Sequence, residues 1–274
     1  MTTEWKASSL AKVAVITGAS GGPGVEIVRA FAVTGVALYL TARDIAEAEN
    51  TLGDIVERDR MHFVQLDHTS LSSVRSVAAR ILEKTSTTNT GVAILICNVA
   101  VMCLVSPRAN LAAAAASLDL HSRVVTVAAP GHRVHGLKAS DDYSFEEGAY
   151  NPWAAYEQTK TANIYTANEI ERRKGGRRPR TTRTQVPAML SDGTILKGWR
   201  SPEQGAGMIL KRGRGEGGGR YLVDCGEAVH GEDDREVASL TYVSHTYDEE
   251  GMGRLWRDSE GMLGIFSIVG DREV

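Results

Sequence analysis

The stretch that decides the fold is Thr17-Gly-Ala-Ser-Gly-Gly-Pro-Gly24. The β-branched apolar run Val13–Ile16 precedes it and the amphipathic stretch Val25–Val33 follows it, which predicts a strand, a tight turn and a helix. Glycine lets a backbone turn sharply and approach a ligand closely, and the start of a helix presents free amides to an anion. The turn is therefore predicted to hold the pyrophosphate of a dinucleotide, with a glycine-rich turn that holds no ligand as the alternative. The glycines behind this prediction are Gly18, Gly22 and Gly24.

Short apolar runs and helical patterns continue to alternate along the chain. Further strands are predicted at 37–41, 62–66, 92–96 and 123–127, and helices at 45–57, 71–84 and 152–173. These strands lack a regular apolar–polar alternation, so both faces should be buried, as in a parallel sheet with helices on each side. The predicted fold class is α/β, a Rossmann-type doubly wound parallel sheet in three αβα layers. We expect one domain over 1–274, with a dinucleotide-binding part at 8–150 and a catalytic and substrate-side part at 151–274.

The composition is that of an ordinary globular protein. Of the 274 residues, 42% are hydrophobic and 24% are charged, which argues against wholesale disorder. The net charge of -3 gives no overall attraction to nucleic acid or to an anionic membrane, so neither is expected as a partner. The three cysteines show no metal-ligand spacing, and the N-terminus lacks the apolar segment of a signal peptide. We expect a cytoplasmic protein with no metal site.

The residues after the second predicted strand indicate which nicotinamide cofactor binds. In a doubly wound fold an acidic residue here accepts the adenosine ribose hydroxyls, whereas an arginine pairs with the 2′-phosphate of NADP. Arg43 therefore points to NADP(H), and Asp44 directly after it keeps NAD(H) as the alternative. Asp67, at the end of the third predicted strand, could contact the adenine or start the next helix through Thr69 and Ser70.

The motif that carries chemistry is Tyr156-Glu-Gln-Thr-Lys160. Asn151 suits an N-cap and Pro152 the first helical position, so the tyrosine and the lysine should stack on one helix face at i and i+4. A neighbouring ammonium favours the phenolate and is expected to lower the tyrosine pKa towards neutral pH. The tyrosine could then donate a proton to a carbonyl oxygen while a nicotinamide delivers a hydride to the carbon.

Together these segments resemble the short-chain dehydrogenase/reductase family. The resembling segments are Thr17–Gly24, Leu66–Asp67, Leu95–Ala100, Arg123–His132 and Tyr156–Lys160. The tail is similar to the retinol-dehydrogenase-like branch of fungal and bacterial secondary metabolism at Ser201–Ala206, Gly219–Cys225 and Leu255–Trp256. The resemblance implies that NADP(H) binds, that Tyr156 is the acid–base residue, and that Lys160 holds the nicotinamide ribose and tunes Tyr156. It adds Ser20 and Asn98 to the cofactor-binding residues.

One departure from the family lies at the substrate. Ala129 stands where the family carries its substrate-orienting serine, and an alanine cannot hydrogen-bond a carbonyl oxygen. Loss of one such donor typically costs about 10²–10³ in rate, so reductase activity requires slow turnover or a substitute donor. The candidates on the following loop are His132, Ser140 and Ser144.

Two segments are shorter than the resemblance requires, 101–123 and 174–200. In the first, one alanine-rich helix near 109–120 replaces a long helix that lines the core and the dimer interface in the family, so a homodimer stays open. In the second, Val186-Pro-Ala188 stands where His-Pro-Gly is expected, and the basic run 172–180 with Arg183 is interpreted as a solvated turn. These departures fit a rebuilt substrate site, lost activity or an incomplete gene model.

The sequence thus favours an NADPH-dependent carbonyl reductase, or an alcohol dehydrogenase in reverse, that acts on a small hydrophobic metabolite. Two other functions remain open because of Ala129. One is a non-redox biosynthetic enzyme on the same fold, an isomerase or a cyclase. The other is a nucleotide-binding pseudoenzyme.

Overall fold

The computed structural model describes residues 13–87, 91–99, 123–138, 142–143, 145, 150–174, 180–185, 220–223, 226–237 and 239–263. Several sequence-based expectations lie outside these ranges. They are the helix near 109–120, the Val186–Ala188 segment, and the candidate donors Ser140 and Ser144.

Within these ranges the chain forms an eight-stranded sheet in the order β3-β2-β1-β4-β5-β6-β7-β8. The strands are β1 Val13–Thr17, β2 Ala37–Ala42, β3 Met61–Gln65, β4 Val92–Cys97, β5 Arg123–Ala128, β6 Arg180–Gln185, β7 Arg220–Val223 and β8 Gly226–Glu227. Neighbouring strands from β3 to β7 are parallel, and β8 is antiparallel to β7. The strand order reverses between β1 and β4, and ligands of open parallel sheets bind at such a switch point. The predicted doubly wound fold is confirmed.

The helices are α1 Pro23–Ala32, α2 Ile45–Leu52, α3 Leu71–Thr87, α4 Pro152–Lys174 and α5 Glu249–Leu263, with 3-10 turns at Gly53–Ile55, Pro130–Arg133 and Ser244–Tyr247. Most bounds lie close to the predicted ones. The exception is α2, which ends before Gly53 instead of continuing to Glu57, because glycine is a poor helix former and the chain tightens there into a 3-10 turn. None of these helices has the length and apolar character needed to cross a bilayer.

Strand β1 lies at the centre of the core. All five of its residues are buried, and successive side chains enter opposite layers. Ala14 and Ile16 pack with apolar residues of α1 in one cluster. Val13 and Val15 belong to a second cluster that includes residues of α3 and α4. Helices therefore cover both faces of the sheet, as the three-layer prediction requires.

The basic run after α4 differs from its interpretation as a solvated turn. Residues 180–185 form strand β6, paired with β5 on one side and β7 on the other. This strand consists of arginines, threonines and a glutamine, so no apolar run marks it in the sequence. At the end of α4, Arg172 and Arg173 both bind the buried carboxylate of Glu169.

Candidate active site

The glycine turn follows β1 and leads into α1 as predicted. Gly18 and Gly22 have positive φ angles of 67° and 50°, which residues with side chains rarely adopt. Position 24 must be glycine for a different reason, because a Cβ there would lie 2.0 Å from the Gly18 carbonyl oxygen. The two ends of the turn can meet only because residue 24 is glycine.

A polar network beneath the turn ties it to β4. The Thr17 hydroxyl accepts from the backbone N–H of Asn98 at 3.0 Å and donates to the Ile96 carbonyl at 3.3 Å. The Asn98 amide Nδ2 donates to the carbonyls of Thr17 at 3.2 Å and Gly18 at 3.1 Å. Asn98, predicted as a cofactor-binding residue, therefore shapes the turn from below.

The outer side of the turn fits a dinucleotide phosphate. A Cβ at Gly21 or Gly22 would meet nothing within 4 Å, so this side is open. The N-cap residue Gly22 supplies no capping side chain to α1, but Pro23 has no backbone N–H and the Gly24 N–H is bound to the Gly21 carbonyl at 3.0 Å, so a phosphate would meet fewer amides than a helix start usually offers. Ser20 is half-buried on the same turn.

The charged residues at the adenosine end differ in how they are used. Arg43 directly follows β2 and is exposed. The carboxylate of Asp44 caps α2 by accepting the Glu47 backbone N–H at 3.0 Å. Because that carboxylate already serves the helix, the case for NAD(H) from Asp44 is weakened.

Asp67 takes the local role that the sequence left open. Its Oδ1 accepts from the backbone N–H of Thr69 at 2.8 Å and from the Thr69 hydroxyl at 2.7 Å. These hydrogen bonds lower the pKa of Asp67, with a smaller contribution from the charge of Arg43. Asp67 thus stays ionised and organises the turn that leads into α3.

The tyrosine and lysine of the chemical motif lie on α4 as predicted. Asn151 caps the helix by accepting the backbone N–H groups of Trp153 at 2.9 Å and of Ala154 at 3.1 Å. The Lys160 Nζ lies 5.5 Å from the centre of the Tyr156 ring. Among the described residues, none hydrogen-bonds the Tyr156 hydroxyl.

Burial reverses the predicted pKa of Tyr156. The residue is 8% exposed, and desolvation of the phenolate raises its pKa above the ordinary value. Lys160 is 3% exposed, and desolvation lowers its pKa to about 7. The prediction of a lowered tyrosine pKa is wrong for this structure, because desolvation of the buried phenolate outweighs any effect of the neighbouring lysine. Tyr156 is therefore a protonated phenol at neutral pH.

Ala129 directly follows β5 and is 1% exposed. Its carbonyl accepts from the backbone N–H of His132 at 3.1 Å and lies 2.8 Å from the His132 Nδ1. The Tyr221 hydroxyl lies 3.3 Å from the same Nδ1. His132, one candidate for the missing donor, thus uses this ring nitrogen within the protein.

Two residues that the sequence analysis missed organise the site. Asn163 of α4 donates from Nδ2 to the Val127 carbonyl at 3.0 Å, and its spacing of seven from Tyr156 could have shown that both share a helix face. Arg133 is buried and donates to the carbonyls of Glu236 at 2.8 Å and Thr241 at 3.0 Å. No sequence pattern links Arg133 to these residues about 100 positions away.

Fold and site together define a Rossmann-type α/β protein with a phosphate-compatible glycine turn and a tyrosine–lysine pair beside β5. Residues 12–128 match the family described as short chain dehydrogenase. The chain is 32% identical over 298 residues to the short-chain dehydrogenase/reductase prx1 of Penicillium roqueforti, covering 93% of this chain and 85% of that protein. The chain therefore belongs to the short-chain dehydrogenase family, a family of oxidoreductases that bind nicotinamide cofactors.

Solved structures agree with this fold. A short chain dehydrogenase from Burkholderia cenocepacia J2315 in complex with NADP is similar with a TM-score of 0.58 and 18% identity, over 77% of this chain and 95% of that chain. The 3-ketoacyl-(acyl-carrier-protein) reductase from Brucella melitensis complexed with NADH has a TM-score of 0.58 and 20% identity, over 77% and 95%. One of these structures holds NADP and the other NADH, so the likeness does not choose between the cofactors.

The buried state of Lys160 predicts a pH dependence of folding. The pKa of an unfolded lysine is ~10.4, whereas that of Lys160 in the folded protein is about 7. Between these values the unfolded chain holds a proton that the native protein lacks, so the free energy of unfolding rises with pH. Lys160→Met should remove up to ~1.4 kcal/mol per pH unit of this rise.

Urea unfolding at pH 7, 8 and 9 measures the effect. The exposed Lys84 provides the control, since Lys84→Met should keep the pH dependence of the unaltered protein. Equal slopes for the Lys160→Met variant and the unaltered protein would contradict the lowered pKa.

Proposed function

We propose that this protein is an NADPH-dependent carbonyl reductase, acting in reverse as an alcohol dehydrogenase, on a small hydrophobic metabolite. The observation that carries the proposal is the pairing of Tyr156 with Lys160 on one face of α4, beside the end of β5. The pair is buried, and the tyrosine hydroxyl has no hydrogen-bond partner among the described residues. This is the arrangement that a proton donor to a bound carbonyl group needs.

The chain's own residues divide the work at this site. Tyr156, protonated at neutral pH, donates its proton to the carbonyl oxygen of the substrate, and Lys160 holds the nicotinamide ribose and stabilises the phenolate that forms. When bound, NADPH supplies the hydride. Gly18, Ser20, Gly22 and Gly24 form the phosphate-binding turn, Arg43 and Asp67 bind the adenosine end, and Asn98 supports the turn from β4.

The proposed preference for NADPH rests on the two charged side chains that follow β2. Arg43 is exposed and able to reach a 2′-phosphate, whereas the adjacent Asp44 carboxylate is occupied as the α2 cap. A buried carboxylate free to accept ribose hydroxyls would favour NADH instead, and neither Asp44 nor Asp67 is in that state.

The remaining features of the proposal follow from the same site. The substrate is expected to be apolar because Ala129 offers a methyl group where a hydroxyl would orient a polar group, and Trp153, 48% exposed, lies one helical turn before Tyr156. We propose that the chain is one domain and that it acts in the cytoplasm on a small molecule, without nucleic acid or membrane as partners. A homodimer is compatible with the family.

A non-redox enzyme, or a pseudoenzyme that binds a nucleotide, is the second candidate. The specific observation in its favour is Ala129, which offers no hydroxyl to a substrate oxygen beside Tyr156. Such a protein would bind NADPH without consuming it when presented with carbonyl compounds. The loss of NADPH absorbance in the presence of activated ketones or quinones separates the two functions.

Arg43→Glu tests the cofactor preference. Loss of a charge-assisted contact to the 2′-phosphate should weaken NADPH binding by ~1.5–3 kcal/mol and leave NADH binding nearly unchanged. Fluorescence titration of both cofactors measures this. Arg58→Glu makes the same charge change just before the N-terminal end of β3, whereas Arg43 follows the C-terminal end of β2, and it should alter neither affinity. Equal losses for both cofactors would contradict the role of Arg43.

Tyr156→Phe tests the proton donor. The substitution removes only the hydroxyl, so NADPH should still bind while carbonyl reduction falls by ~10²-fold or more. Tyr165→Phe is the matched control, because this buried tyrosine of the same helix donates to the His245 carbonyl at 2.8 Å, away from the reacting groups. Unchanged turnover in Tyr156→Phe would place the chemistry elsewhere.

Ala129→Ser tests whether the site is a reductase that lacks one donor. A serine hydroxyl here should raise reduction of activated ketones or quinones by up to ~10²-fold, with little change in NADPH affinity. Ala128→Ser is the control, because Ala128 packs with Ile164 and Tyr221 in the core and its hydroxyl would gain no access to substrate. A folded Ala129→Ser variant that binds NADPH and shows no gain would favour the second candidate.

A further inference from the structure

Two buried side chains of α4 share a single acceptor on β5. The Lys160 Nζ donates to the Val127 carbonyl oxygen at 3.0 Å, and the Asn163 Nδ2 donates to the same oxygen at 3.0 Å. Lys160 is 3% exposed, Asn163 is 5% exposed and Val127 is 3% exposed, so no bulk water replaces either donor. A carbonyl oxygen has two lone pairs and can accept both donors together.

This shared acceptor conflicts with what the proposed function asks of Lys160. To hold the nicotinamide ribose, the Lys160 Nζ must direct a hydrogen bond to the ligand, away from the Val127 carbonyl of β5. If Lys160 were the sole side-chain donor to Val127, that movement would leave a buried carbonyl without a side-chain partner. The loss of a hydrogen bond to a buried acceptor costs free energy, and the cost would appear as weaker cofactor binding.

We propose that Asn163 is a positioning residue that keeps the Val127 carbonyl satisfied, so that the Lys160 ammonium is free to turn to the cofactor ribose. This inference rests on the proposed function. Asn163 touches neither the cofactor nor the substrate, and it acts through Lys160. The spacing of three residues between them puts both on one face of α4, which is why one carbonyl can serve both.

The alternative is a purely structural role, in which Asn163 only stabilises the fold. Asn168 provides the comparison, because it is a buried asparagine of the same helix that donates to one backbone carbonyl, that of Thr246, at 2.9 Å. No ionisable donor is described on that carbonyl, so its loss should affect folding alone. The difference between the two asparagines isolates the role of the shared acceptor.

The first experiment compares Asn163→Leu with Asn168→Leu in NADPH fluorescence titrations. Leucine has the same number and branching of side-chain heavy atoms as asparagine and no donor. We expect Asn163→Leu to raise the Kd for NADPH about tenfold, which corresponds to about 1.4 kcal/mol. Asn168→Leu should leave the Kd unchanged, although both variants should unfold at lower urea concentrations. An unchanged Kd in Asn163→Leu, or an equal rise in both variants, would overturn the inference.

The second experiment repeats the Asn163 substitution in the Lys160→Met background. Asn163 is proposed to act through Lys160, which this background lacks. Asn163→Leu should therefore change the Kd for NADPH by less than about twofold. A role confined to folding would instead give the same loss with and without the lysine. That result would overturn the inference.

A measurement on the unaltered protein covers the case in which Asn163→Leu does not fold. The side-chain amide of Asn163 should remain protected from hydrogen exchange when NADPH is added, because it stays on the Val127 carbonyl after Lys160 turns away. Loss of protection on NADPH binding would overturn the inference. If the unaltered protein binds no NADPH at all, both the proposed function and this inference fail. If Asn163→Leu binds NADPH as tightly as the unaltered protein does, the inference alone fails.

Discussion

The burial of the Lys160 amino group against one backbone carbonyl is the constraint around which the site is organised. Lys160 is held at the Val127 oxygen with Asn163 beside it, and these hydrogen bonds join α4 to β5. The cost of keeping a charge out of water lowers the pKa of the lysine and raises that of the neighbouring tyrosine. Tyr156 consequently stands as a protonated donor rather than a phenolate.

The phosphate side of the site depends on a second backbone constraint at the same edge of the sheet. The conformation of the glycine turn depends on positive φ angles at Gly18 and Gly22. It also depends on hydrogen bonds of Thr17 and Asn98, which connect β1 to β4. The switch in strand order between these strands opens the crevice that the turn faces. One edge of the sheet therefore brings together an anion-compatible turn and a proton donor that are about 140 residues apart in the chain.

Membership of the short-chain dehydrogenase family explains the architecture but leaves the chemistry to particular residues. Ala129 directly follows β5, and its carbonyl is already engaged by His132. Under the proposed function, Tyr156 acts on the substrate oxygen with no hydroxyl at position 129 beside it. A smaller set of donors fits a substrate whose carbonyl is already activated, because such a carbonyl needs less stabilisation of its developing charge.

Local patterns in the sequence determined much of this protein. Glycine spacing, the Asn151 cap and the i, i+4 spacing of the motif correctly predicted the turn, the start of α4 and the shared face of Tyr156 and Lys160, because they act within a few residues. The tertiary structure decided the rest. Strand β6 has no apolar run, so only its pairing with β5 and β7 reveals it. The protonation of Tyr156 depends on burial, and the partnership of Asn163 with Lys160 depends on a carbonyl of a strand distant in sequence. Residue spacing along a helix does not show how far the rest of the fold excludes water from the site.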